Sequence, residues 1–151
     1  MLLSEIVTTD PDSMGYASMT DAQIEDDIKN AKRHSIRVRV SFSVFMQTLI
    51  DHGILMLILQ AYLDPTHLHH STAVMIKTFL DTARENGIQS IDMDKPGNDL
   101  MFDSMQTASF MNAEQRVILE ALADSPASLA EVHELTPFSH LDIAKITGGT
   151  N

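Results

Sequence analysis

Three histidines, in Thr66-His67-Leu68-His69-His70, are the residues of this chain best suited to chemistry. Side chains two apart in an extended segment point the same way. His67 and His69 could therefore share a transition metal, with Asp64 as a carboxylate ligand. A structural zinc takes four ligands in fixed geometry, and the sequence offers no fourth. No His-Glu-x-x-His pattern occurs. The plainer reading is a polar loop or helix N-terminus rich in histidine. We expect no bound metal and no cofactor, and a small metal-dependent enzyme using His67 and His69 stands as an alternative.

Asp92 and Asp94 alternate ahead of Asn98 and Asp99. The glycine and glutamate of a calcium loop are missing around them, so a solvated acidic loop is expected. No glycine pattern frames a serine as a nucleophile elbow. Gly148-Gly149-Thr150 has no lysine and is not a phosphate loop. Cysteine is absent, which excludes disulfides, thiolate catalysis and cysteine-ligated zinc. The expectation is a protein that is not an enzyme and has no small-molecule substrate.

Lys29, Lys32, Arg33, Arg37 and Arg39 place half of the ten basic residues within eleven positions. This cluster could balance the acidity of its own chain, dock on an acidic neighbour or touch phosphates. The net charge of −11 repels a nucleic-acid backbone at long range and argues against the last of these. Leu2, Leu3, Ile6 and Val7 are the other contact candidates. They could fold back on the chain's own core or lie on a neighbouring subunit. Tyr16 completes the set of candidate contact residues.

These residues must be held by a chain of 151 residues, enough for one domain with its own core. Apolar residues make up 44%, aromatics only 5%, and tryptophan is absent. The core must rest on Leu, Ile, Met, Val and Ala. Ten methionines fit either an adaptable core or an adaptable contact surface. No basic stretch leads into a sustained apolar run at the start. The apolar run Leu55–Leu59 is too short to span a bilayer. A protein without a membrane segment, kept in the cytoplasm, is the default expectation.

Residues 1–19 read as an extended N-terminal arm, in which Leu2 to Val7 could make one helical turn before Asp10-Pro11 breaks it. Thr20 with Gln23 predicts a capping box for a helix over 21–32. The alternation Ile36, Val38, Val40, Phe42 has the period of a strand, but no partner strand is evident, so an extended linker is expected. Further helices are expected over 42–50 (capped by Ser41 or Ser43), 54–63 (buried), 71–85, 100–108, 113–123 and 141–146, with Ser128 and Glu131 capping a short turn. The 71–85 helix is expected to bury Ala73, Ile76, Phe79, Leu80 and Ala83. The 113–123 helix is expected to bury Val117, Ile118, Ala121 and Leu122. Gly53 marks a kink or a cap. The fold class is therefore mainly α: a compact multi-helix domain over 20–147 with no internal boundary, an extended arm before it and a tail over 148–151.

The opening Thr8-Thr9-Asp10-Pro11, then Gly15-Tyr16, then Met19-Thr20-Asp21-Ala22-Gln23 resembles the start of a family of small tailed-bacteriophage proteins. The basic stretch and the start of the next helix, Ser41 through Phe45, are similar to that family too. Asn112 through Ile146 is loosely similar in layout. The close match covers the first third of the chain, and the middle, including the histidine cluster, departs from it. The resemblance implies a phage origin and carries over no catalytic residues. It implies a structural component of head, neck or tail, in the virion and in the host cytoplasm during assembly. Its partners would be other phage structural proteins and itself. A non-virion assembly factor, or a regulator binding a host or phage protein, is the alternative.

Overall fold

Leu3–Thr9 (α1) is a helix whose Ile6 and Val7 are buried. Asp10, in the left-handed region at φ 44°, closes it. The structure, a computed structural model, describes residues 1–149. Thr150 and Asn151, part of the expected tail, lie outside the described residues. Among the described residues the chain is mainly α, with nine α-helices and four short strands. Its contacts divide it into two compact units, 1–36 with 125–151 and 37–124. The sequence predicts a single domain over 20–147; among the described residues the core falls into two clusters that share no residue.

The first unit is built from both ends of the chain. Thr20 accepts the Gln23 N–H, and the Gln23 side chain accepts the Thr20 N–H, starting Asp21–Asn30 (α2) as expected. His34–Arg37 (β1) forms a two-stranded sheet with Asp124–Ala127 (β4). Leu129–Val132 (α8) starts from a Ser128–Glu131 capping box. His140–Thr147 (α9) stops at Gly148, whose φ of 75° suits glycine. The core joins Ile6, Val7 and Tyr16 to Ile24, Ile28, Leu129 and Ile143. Residues 1–19 are therefore not an extended arm: α1 packs on α9, and its apolar side is spent on the core of its own chain.

The second unit runs from Val40–Ser41 (β2) into Phe42–Asp51 (α3), Ile54–Leu63 (α4) and His70–Glu85 (α5). Ser90–Ile91 (β3), Pro96–Thr107 (α6) and Ala113–Ala121 (α7) follow. β2 pairs antiparallel with β3, Val40 opposite Ile91. The extended linker expected over 35–42 is thus two paired strands. Their partners were illegible because one is two residues long and the other contains Pro126. Gly53 sits at φ 71° between α3 and α4, and the two helices meet at 80°. No single helix among the described residues is long and apolar enough to cross a membrane. The core gathers Phe45, Leu49, Ile54, Ile58, Ile76, Leu80, Phe102, Met105 and Leu119 with smaller neighbours. Leu119, rather than Val117 and Ile118, anchors α7; those two are exposed.

Candidate protein-contact surface

The histidines are each engaged within their own unit. His67 Nδ1 accepts the His69 N–H at 3.1 Å, and His70 Nδ1 lies 2.9 Å from the Ala61 carbonyl. The His69 ring meets Phe110 edge-on. Asp64 turns its carboxylate back on the Thr66 N–H and hydroxyl, which holds it below the usual carboxylate range. Among the described residues no three His, Cys, Asp or Glu side chains are placed to hold a metal ion. The acidic loop is also occupied: Asp92 caps the Asp94 N–H, and Asp94 pairs with Arg37.

The basic cluster is spent within the chain. Lys29 pairs with Glu25, and Lys32 with Glu131. The Arg33 guanidinium bonds both oxygens of Asp27 and also reaches Asp12, which His34 touches as well. Arg33 holds the Asp27 carboxyl below its usual range, with help from the Tyr16 hydroxyl. Tyr16 is buried and donates to Asp27, so it is a core residue rather than a contact residue. Arg37 binds Asp94, Asp124 and the Glu120 carbonyl; Arg39 binds Ser90. Of the N-terminal candidates, Ile6 and Val7 are buried, Leu3 is half-buried against the same core, and Leu2 is exposed. The Asp10 carboxylate gathers the N–H groups of Met14, Gly15 and Tyr16 at 2.7, 2.6 and 3.1 Å. The Thr-Asp-Pro to Gly-Tyr spacing is therefore a loop-closing device.

Most of the exposed large apolar side chains among the described residues belong to the second unit. α4 buries Ile54, Ile58 and Ala61 and turns Met56, Leu57 and Leu63 outward with Gln60. Positions 56, 60 and 63 recur at helical spacing and form one stripe. The expectation of a buried helix over 54–63 therefore holds for one side only: that side is core, and the other is open apolar surface. On α5 the complete buried stripe is Ala73, Ile76, Leu80 and Ala83, and Phe79 turns outward with Met75. These two side chains and Leu100 of α6 flank a groove of about 170 Å³, with Ile76, Met101, Gly97 and Ser104 as the rest of its lining. Leu68, on the loop between α4 and α5, is 89% exposed.

Sequence reasoning missed this surface. The signal was an excess: Ala73, Ile76, Leu80 and Ala83 already complete one helical face, so Phe79 was one apolar residue too many for the core. α4 carried the same excess over its whole length. The methionines serve both roles the composition allowed, since Met93, Met101, Met105 and Met111 are core while Met56 and Met75 are surface. No family model, no curated protein and no solved structure matches the chain.

Proposed function

We propose that this chain is a structural component of a tailed-phage particle that acts through protein–protein contacts and catalyses no reaction. The observation that carries the reading is the uncovered apolar surface of the second unit, the stripe of α4 and the groove between α5 and α6. Covering one large apolar side chain contributes about 1.5–3 kcal/mol, so a few of them suffice for a stable contact. Apolar surface of this kind on a folded unit marks a place for a partner. The internal pairing of the 29–39 cluster supports protein rather than nucleic acid as that partner, because Lys29, Lys32, Arg33 and Arg37 are already paired with carboxylates of the same chain, and Arg39 bonds Ser90. The phage assignment rests on the resemblance of residues 8–23.

The test is mass spectrometry of gradient-purified particles from infected cells, with copy number per particle. A fixed stoichiometry, in a multiple that suits a ring or shell, is expected. Absence from particles would overturn the virion reading and move the chain to the assembly factors or regulators.

A further inference from the structure

We infer that Met56 and Met75 are oxidation sites, and that turning their thioethers into sulfoxides switches the uncovered surface of the second unit from apolar to polar. The inference rests on the reading of that surface as a contact site and names a regulation of it. Three observations carry it.

The first is chemistry. The chain has ten methionines and no cysteine. No thiol competes for a mild oxidant, so the thioethers are the side chains a peroxide attacks first. The second is placement. Met93, Met101, Met105 and Met111 are at most 6% exposed, whereas Met56 and Met75 are 60% and 51% exposed. Met46 is half-buried against the second core and Met19 against the first. Met1 and Met14 are exposed too, but they lie in the first unit. Met56 and Met75 are thus the two exposed methionines of the second unit. One sits on the α4 stripe and the other flanks the groove.

The third is the surroundings. Of the residues that line the groove with Met75, Ser104 alone has a side-chain donor, and its hydroxyl is committed to the Leu100 carbonyl at 2.8 Å. A sulfoxide oxygen at Met75 therefore takes its hydrogen bonds from water. An apolar partner laid over the groove strips that water away and leaves a buried acceptor unpaired, which opposes the contact. On α4 a sulfoxide at Met56 replaces an apolar member of the stripe with a polar one.

The step balances with a peroxide as co-reactant. A sulfur lone pair attacks one oxygen of hydrogen peroxide, and the O–O bond breaks. That oxygen stays on sulfur, its proton passes to the departing hydroxide, and water leaves. Sulfur gives up two electrons and the peroxide takes them. Neither side chain belongs to a core, so the fold is kept, and methionine sulfoxide reductases can reverse the change.

The experiment treats the full chain with hydrogen peroxide and follows each methionine by peptide mass spectrometry. Retention on a phenyl hydrophobic-interaction column reads the native surface in parallel. Met56 and Met75 are expected to oxidise roughly 10-fold or more faster than the four buried methionines, which react only when the structure opens. Retention should shorten as the two sulfoxides accumulate, with helical circular dichroism unchanged. It should recover after treatment with methionine sulfoxide reductases and dithiothreitol. The double variant Met56→Leu/Met75→Leu keeps the apolar volume and removes both sulfurs, so peroxide should shorten its retention much less. Equal oxidation rates across the ten methionines overturn the inference. Retention that is unchanged once both sulfurs are oxidised, or that falls as far in the variant as in wild type, overturns it as well. Sulfoxides that the reductases leave in place would make the change damage rather than a switch and overturn it equally. Absence of the chain from particles alongside a reversible, Met56- and Met75-dependent loss of retention would remove the virion reading and leave this one standing.

Discussion

At the scale of single residues, most of the charge is structural. Glu131 accepts from Lys32 and from the Ser128 N–H, and its carboxyl is pushed down from the usual 4.5 to about 2. Asp142 accepts from Lys145 and the Ser139 N–H, and falls from 3.8 to about 2. Both carboxylates cap helices, α8 and α9, so their ionisation and the start of each helix are coupled. The folded state favours the charged form of each more than the unfolded chain does. Their stabilisation is therefore complete above about pH 4.5 and is lost as pH falls from there towards 2. Because these groups are solvent-exposed, the effect is modest and salt weakens it. The melting midpoint of the wild type, followed from pH 7 to pH 2, should drop through that window. In Glu131→Gln the drop should be shallower. A variant curve running parallel to wild type between pH 4.5 and 2 would contradict this account of the Lys32–Glu131–Ser128 cluster.

At the scale of elements, the sequence was legible wherever a local signal sets a boundary. Thr20 with Gln23, Asn112 with Gln115 and Ser128 with Glu131 each cap the helix expected of them, because a cap is decided by four consecutive residues. Strand pairing was not legible, since Val40–Ser41 finds Ile91 and Ser90 about fifty residues away, and the alternation around Val40 has no counterpart around Ile91. Gly53 shows the difference in strength between a backbone requirement and an incidental glycine. Its φ of 71° lets the chain turn 80° between α3 and α4, which brings the buried sides of both helices into one core. Open space surrounds its missing Cβ, so any penalty for a side chain there comes from the backbone alone. Gly53→Ala should cost about 1–2 kcal/mol in urea unfolding. Gly97→Ala, in an ordinary conformation near the start of α6, should be neutral or stabilise by up to about 1 kcal/mol. Equal effects at the two positions would remove the assigned role of the α3–α4 turn.

At the scale of the whole molecule, the division into two units is the feature least visible in sequence. The first unit takes residues from both ends of the chain, so its core is assembled from α1, α2, α8 and α9 across more than a hundred positions. No composition shift or linker accompanies such a division, because the chain passes through it within the short strands β1 and β4. Reading along the chain finds helices and sees one domain. The opening apolar residues show the same blindness: Ile6 and Val7 have the spacing of a free contact stripe, and only the late arrival of Ile143 tells that they are core. Two cores without a common residue imply two stability units with separate opening equilibria. Ile28→Ala removes a fully buried side chain from the first core and should cost that unit about 2–5 kcal/mol. Hydrogen exchange followed by mass spectrometry should then show faster exchange in α1, α2 and α9. The amides of α4 and α5, packed on Ile58 and Ile76, should keep their wild-type protection. The reciprocal variant Ile58→Ala should reverse the pattern. If either substitution accelerates exchange equally throughout residues 1–149, the chain opens as one cooperative body. The apolar surface of the second unit would then share its stability with the first core, instead of being carried by a unit that holds its shape independently.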